Sequence, residues 1–311
     1  MKVLGVNISH NCSFAVIENG ILKEYYEEDR FNKIKHFRPP HPMFDNNYQY
    51  QVLQKFKNVN FDAVSISSCG IESICYEKLV IDNILKQIKC NDVKFYNHDH
   101  HIHHALCAFY FSNFNEALGV ICDGGGEKLP RPRTLFRSVE SIYHINKKEV
   151  KSLYQHYTNW GTDYFKIYYK VPMEEFHKIN ENTDLYLTNK LAGAVKYLNY
   201  TKMAGFKSHQ EGQLMGIAAY KNKDVNLSKN ILEIANKAQE ETLEERIKLI
   251  EKAITYSDCK NIVLSGGYHL NCSNNFKLVK HFPKLNFFVD PIPYDGGTAV
   301  GAAYYYANFE N

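Results

Sequence analysis

The chain has 311 residues, 44% hydrophobic and 23% charged, which supplies apolar mass for a sizeable core and excludes a disordered polymer. Lys+Arg 37 against Asp+Glu 34 gives 37 − 34 = +3, which excludes a histone-like polycation and confines any nucleic-acid contact to local patches. Eight cysteines without a CxxC pair exclude a zinc-ribbon framework and read as reduced thiols, and with no leader-like N-terminus the sequence reads as that of a cytoplasmic protein.

In chain order, Lys2–Ile8 and Phe14–Glu18 are strand-like, Asn19-Gly20 is a two-residue hairpin turn, and Ile21–Tyr26 continues as a third strand. Asp62–Ser67 reads as a buried strand, Ile74–Gln87 as a helix, Val93–Tyr96 as a strand and His100–Phe111 as a helix. A second meander opens at Ala117–Cys122, where Leu118-Gly119-Val120 echoes Leu4-Gly5-Val6, and its next strand is placed at Thr134–Val139. An aromatic-rich stretch, Tyr154–Tyr169, and a helix-compatible segment, Asp184–Tyr197, follow. In Lys237–Ile254 the residues Leu243, Ile247, Ile250 and Ile254 recur at helical spacing. The end alternates strand Asn261–Leu264, helix Leu270–Lys280, strand Asn286–Val289 and helix Thr298–Ala307, as parallel strands with crossover helices do. Two meanders each followed by strand–helix alternation predict an α/β fold of two lobes, actin-like or ribonuclease-H-like, with a nucleotide and metal cleft between them. The lobes are placed at 1–115 and 116–311, the second carrying the aromatic-rich insertion.

The densest chemistry is His98-Asp99-His100-His101-Ile102-His103-His104 at a helix start. His100 and His104 project from one helix face, at the separation where two imidazoles share a metal, while His98, His101 and His103 stay open as further ligands. Asp123-Gly124-Gly125-Gly126 follows a strand, so a carboxylate sits at a strand end beside glycines whose N–H groups can approach an anion. Ser265-Gly266-Gly267 repeats this with Asn271 near the next helix start, and Asp295-Gly296-Gly297-Thr298 is a third case. Glu27-Glu28-Asp29-Arg30 reads by itself as a solvated charge run, and His10 and Ser13 as turn residues.

Taken together, Gly5–Ser13, Glu27–Phe31 with Lys35-His36, His100–Tyr110, Asp123–Glu127, Glu211–Tyr220, Ser265–Asn271 and Asp290–Ala303 resemble the O-carbamoyltransferase family of the NodU/CmcH type, in family order. The resemblance implies that His100, His104 and Asp295 hold a divalent metal, iron above Mn2+ or Zn2+, with Asp123 joining or neighbouring them. It further implies that Ser13, Gly125, Gly126, Gly266, Gly267 and Asn271 cradle the nucleotide of a carbamoyladenylate, made from ATP and carbamoyl phosphate. A substrate hydroxyl would attack the carbamoyl carbon and expel AMP, with His10 as general base and Lys35 polarising the carbamoyl oxygen. Gln213 stands where the family has Lys. Family enzymes continue after the last motif into a YrdC-like domain that makes the adenylate, so the expectation for this chain is a separate YrdC-like partner, or donor handling by this domain itself.

The acceptor is a hydroxylated molecule: a sugar, a small antibiotic, or a hydroxymethylated base in DNA. For nucleic acid the sequence offers Lys128, Arg131, Arg133 and Arg137, with Tyr154, Tyr157, Trp160, Tyr164, Tyr168 and Tyr169 as stacking platforms beside Lys166 and Lys170. The competing readings are a tRNA threonylcarbamoyl-transferase, against which Glu27–His36 and Asp290–Ala303 argue, and a nucleotide- and metal-binding subunit without turnover.

Overall fold

The computed structural model describes residues 1–70, 74–129, 136–159, 174–221 and 228–310. β1 (Lys2–Asn7), β2 (Ser13–Glu18) and β3 (Ile21–Glu27) form an antiparallel meander whose Asn19-Gly20 turn has both residues at positive φ, 52° and 77°. A short helix, α1 (Asp29–Asn32), follows; then β4 (Asn60–Ser67), α2 (Ile74–Leu85), β5 (Lys89–Tyr96) and α3 (His100–Ser112). β4 joins β1 in parallel and β5 joins β4, so the first sheet has the order β3-β2-β1-β4-β5.

The second sheet repeats that order. β6 (Glu116–Cys122), β7 (Phe136–Asn146) and β8 (Val150–Asn159) form its meander, and β11 (Asn261–Ser265) and β12 (Asn286–Val289) add in parallel on the other side of β6. An extra hairpin, β9 (Glu174–Asn180) and β10 (Thr183–Thr188), extends the β8 edge, giving β12-β11-β6-β7-β8-β10-β9. The helices are α4 (Gly193–Met203), α5 (Glu211–Ala218), α6 (Lys229–Tyr256), α7 (Cys272–His281) and α8 (Thr298–Tyr305). This duplicated topology is the two-lobed actin-like α/β fold that the sequence predicts.

One expectation fails locally. The segment read as a helix from Asp184 begins as strand β10, because Thr183-Asp184-Leu185-Tyr186-Leu187-Thr188 alternates and pairs with both β8 and β9; the helix starts only at Gly193.

Helices exchange between the halves. α3 lays Ala105, Leu106, Ala108 and Phe109 against Ala117, Ile121, Tyr143 and Val263 of the second sheet. α8 lays Ala299, Val300 and Ala303 against Val3, Ala15 and Ala63 of the first sheet. The two helices also cross each other so closely that a Cβ on Gly301 would overlap the His103 carbonyl oxygen. α2 with Leu53 and Phe56 closes the outer face of the first sheet, and α6 with α7 closes that of the second, through Leu249, Ile250, Ala253 and Leu278. The order of layers is therefore helix, sheet, the α3/α8 pair, sheet, helix, with the cleft opening where the strand ends meet the middle pair. Among the described residues, no helix is long and apolar enough to cross a membrane.

Candidate active site

Four side chains meet in the cleft. His100 and His104 come from the first two turns of α3, Asp123 from the turn after β6, and Asp295 from the turn before α8, each buried. One ligand atom from each lies within 4.8 Å of the other three. His104 Nε2 is 3.2 Å from His100 Nε2; Asp295 Oδ1 is 3.6 Å from His100 Nε2 and 3.8 Å from His104 Nε2; Asp123 Oδ2 is 3.8 Å from His100 Nε2. Two buried carboxylates facing one point require positive charge there, since an unpaired ionised carboxylate out of water is costly. Burial opposes charge on Asp123 and Asp295 alike, yet the imidazoles around them hold both well below the usual carboxylate range. Burial likewise opposes charge on His100, but Cys69, Asp295 and Asp123 push it well above the ordinary imidazole value. Two nitrogen and two oxygen donors fit a divalent first-row ion as well as they fit protons.

The other histidines turn away. His101 Nδ1 pairs with Ser141 Oγ at 2.8 Å, His103 Nδ1 pairs with Ser67 Oγ at 2.8 Å, and burial lowers the pKa of both rings; His98 is exposed.

The glycine turns hold the chain's own groups in place. Gly125 N–H donates to Asp123 Oδ2 at 3.2 Å, Gly126 N–H to the Ser138 carbonyl at 2.8 Å, and Gly267 N–H to Asp123 Oδ1 at 3.0 Å. Their donors are spent on aiming Asp123 and on joining the turn to the sheet. Gly266, at φ 94°, must be glycine because a Cβ there would overlap the Cys122 backbone. Asn271 caps α7, accepting from Asn274 N–H at 3.1 Å and donating to Gln239 Oε1 at 3.0 Å. Ser13, fully buried in β2, donates to the Gly296 carbonyl at 2.7 Å and so fixes the Asp295 turn from behind.

His10 does reach the site: its Nε2 is 3.3 Å from Asp295 Oδ2, its Nδ1 is 2.9 Å from Asn11 Oδ1, and Asp295 above all raises its pKa. Lys35 is exposed on the loop that carries His36. His36 stacks on His209, which comes from the second-sheet side, with ring centroids 4.4 Å apart, and His209 in turn meets the edge of His10 at 5.7 Å.

The sequence reading gave no role to two groups around Asp295 and His100. Ser9 Oγ donates to Asp295 Oδ2 at 2.6 Å, and Cys69 Sγ lies 3.5 Å from the same oxygen and 3.7 Å from His100 Nδ1. Arg137 ties this wall together by donating to the Cys69 and Gly126 carbonyls, both at 3.0 Å. Arg137 is thus a brace rather than a free cation for an acceptor. Tyr154 and Tyr157 are likewise buried, at 6% and 5% exposure, in the core of the second sheet and not on a stacking surface. Arg131, Arg133, Trp160, Tyr164, Lys166, Tyr168, Tyr169 and Lys170 lie outside the described residues.

Similarity to known proteins agrees with this geometry. An uncharacterised protein of Synechocystis, sll1178, is 23% identical over 346 residues, covering 97% of this chain and 56% of its own length. The nodulation protein NolNO of Sinorhizobium fredii is 22% identical over 343 residues, covering 96% of this chain and 46% of its own length. The chain spans about half the length of the curated relatives it matches. Full-length HypF, solved in its phosphate- and nucleotide-bound form, shares the fold with a TM-score of 0.56 at 13% identity, over 97% of this chain and 54% of HypF. Residues 41–304 match the family described as carbamoyltransferase N-terminus, and with most of its length inside that match the chain belongs to this carbamoyltransferase family.

Proposed function

We propose that the chain transfers a carbamoyl group from carbamoyladenylate to the hydroxyl of a small acceptor, using the cleft at His100, His104, Asp123 and Asp295. The observation that carries this reading is the convergence of those four buried donors with His10 Nε2 at 3.3 Å from Asp295 in a chain of the carbamoyltransferase family. The nucleotide held by HypF in the same fold supports an adenylate as donor. His100, His104, Asp123 and Asp295 would hold a divalent cation, iron first and Mn2+ or Zn2+ after it, which would offset the charge of Asp295 and provide positive charge near the leaving phosphate.

His10 pairs Nδ1 with Asn11 Oδ1 and turns Nε2 to Asp295 Oδ2 at 3.3 Å; with the Asp295 charge neutralised, the Nε2 lone pair would be open to the proton of the acceptor hydroxyl. As that proton moves to Nε2, the acceptor oxygen bonds the carbamoyl carbon and the bond from that carbon to the AMP phosphate oxygen breaks, the electron pair leaving with AMP. Lys35, exposed on the loop that carries His36, would offer its ammonium to the carbamoyl oxygen. Ser9 and Ser13 hold the Asp295 turn in register from two sides. The inward placement of Arg137, Tyr154 and Tyr157 supports a sugar-like or other small acceptor over a nucleobase in DNA.

The test supplies the metal-loaded chain with ATP, carbamoyl phosphate and a YrdC-like adenylate-forming protein, and offers a panel of hydroxylated acceptors. The expected products are AMP and an acceptor heavier by one carbamoyl group, both lost in His10→Ala while metal content is kept. Failure of every acceptor in the presence of demonstrable carbamoyladenylate would overturn the reading.

A further inference from the structure

His100 and His104 contribute the same kind of atom to the donor set but are held from behind in different ways. Beside His100, the Cys69 thiol lies 3.7 Å from Nδ1 and 3.9 Å from Nε2, and it faces Asp295 Oδ2, a carboxylate of the donor set itself, at 3.5 Å. Behind His104, Nδ1 lies 3.4 Å from Ser265 Oγ, and Ser265 Oγ donates to Asp290 Oδ2 at 2.7 Å. Ser265 is fully buried and Asp290 is 3% exposed, so water does not compete for these contacts. Both residues stand at the ends of neighbouring parallel strands, Ser265 closing β11 and Asp290 just beyond β12, and Asp290 N–H donates to the Leu264 carbonyl at 2.9 Å. The other carboxylate oxygen, Oδ1, accepts from Ile292 N–H at 2.9 Å and from the Cys107 thiol at 3.5 Å. The Asp290 carboxylate is thus an acceptor on both oxygens, and the Ser265 hydroxyl can satisfy it only by donating its single proton there. That leaves the Ser265 lone pairs facing Nδ1, which fits an imidazole with its proton on Nδ1 and its lone pair on Nε2.

We infer that Asp290 and Ser265 form a positioning relay that fixes the tautomer and ring orientation of His104, turning the Nε2 lone pair toward the cation site. This rests on the metal-assisted reading above. Neither residue touches substrate; both act through His104, as the outer partners of ligating histidines generally do by raising ligand basicity and removing rotational freedom. The relay also makes the site asymmetric, since His104 has a carboxylate behind it and His100 has a thiol beside it.

The test titrates the chelator-stripped full chain with Zn2+ in competition with a chromophoric chelator, and records the visible absorption of the Co2+-loaded form. Ser265→Ala and Asp290→Asn should each weaken Zn2+ binding about 10–100-fold and shift the Co2+ bands in the same way. The double substitution should be no weaker than the worse single one, because both break one chain of contacts. Thermal unfolding in excess chelator shows whether each variant is folded before metal is added. Wild-type affinity in a folded Ser265→Ala chain overturns the relay, as do losses that multiply in the double variant. No Zn2+ or Co2+ binding by the wild-type chain overturns relay and metal site together. Tight metal binding with the relay effects intact, but no carbamoyl transfer, overturns the proposed reaction and leaves the relay standing.

Discussion

The two sheets share one topology and treat the turn after their first strand in opposite ways. After β1 the turn is neutral: Asn7 Nδ2 donates to the His10 and Asn11 carbonyls, Asn7 Oδ1 accepts from Ser9 N–H, and Ser9 then reaches Asp295. After β6 the same place in the fold holds a carboxylate, Asp123, gripped by glycine N–H groups on both oxygens. The contrast continues inward. Behind the second turn lies a buried charged network in which Arg246 contacts Cys122 and Glu140, and Glu140 Oε2 accepts from His156 Nδ1 at 2.7 Å, whereas the β1 strand packs into a core of Val, Ile, Leu and aromatic side chains. Duplication therefore supplied two equivalent mouths, and polar specialisation of one of them produced the charged wall of the site while the other supplies Ser9, which positions Asp295, and His10, whose Nε2 reaches it.

The sharpest way to break this comparison is at the metal donors. His104→Ala should lose most bound metal and most activity, measured by elemental analysis and product formation, while Asn7→Ala on the neutral side should keep the metal. Full metal retention in folded His104→Ala would show that the charged wall is not a metal site.

Next in size is the network behind it. Arg246 is 1% exposed, so Arg246→Ala leaves Glu140 without its buried partner, and the expected loss is about 3–5 kcal/mol in denaturant unfolding. Replacing both Arg246 and Glu140 by apolar residues should cost less than the single substitution. Glu140 is held down to about 2, its burial outweighed by Arg246 and His156, so its stabilisation is present above the unfolded value of 4.5 and is lost only as pH falls toward 2.

His269 gives a milder and separable pH effect. Burial holds its ring down to about 4, from 6.5, so the unfolded chain binds the proton first as pH falls. Stability should drop by up to about 3 kcal/mol between pH 6.5 and 4, and His269→Gln should flatten that limb in chelator-treated protein. The smallest effect is at Asn271: Asn271→Ala should cost about 1 kcal/mol as a lost helix cap, and Asn271→Ser should restore it. A large loss of nucleotide affinity in Asn271→Ser would return that residue to the nucleotide.

What the sequence disclosed follows from local physics. The Asn19-Gly20 turn requires two left-handed residues, and His100 and His104 share a helix face whatever surrounds them, so both are readable from spacing. The glycine turns were legible because flexible N–H groups after a strand suit an anion, and the anion that Gly125 and Gly267 meet in the structure is the chain's own Asp123. Tyr154 and Tyr157 misled because a tyrosine in a strand buries its ring as readily as it offers it to a base. Ser9 and Cys69 carry no local signature, and Ser265 and Asp290 stood inside motifs without a role of their own, since what each does depends on partners up to 286 residues away in the chain, the separation of Ser9 from Asp295.

The exchange of α3 and α8 between the sheets has a mechanical consequence. His100, His104 and Asp123 stand on elements packed on the second sheet, while Asp295, gripped by Ser9 and Ser13, is tied to the first. Any scissoring of the halves about the α3/α8 crossing therefore changes the span between Asp295 and the other three donors. An ion clasped by all four would act as a protractor: its coordination number, read from its colour, would report the opening angle of the jaws.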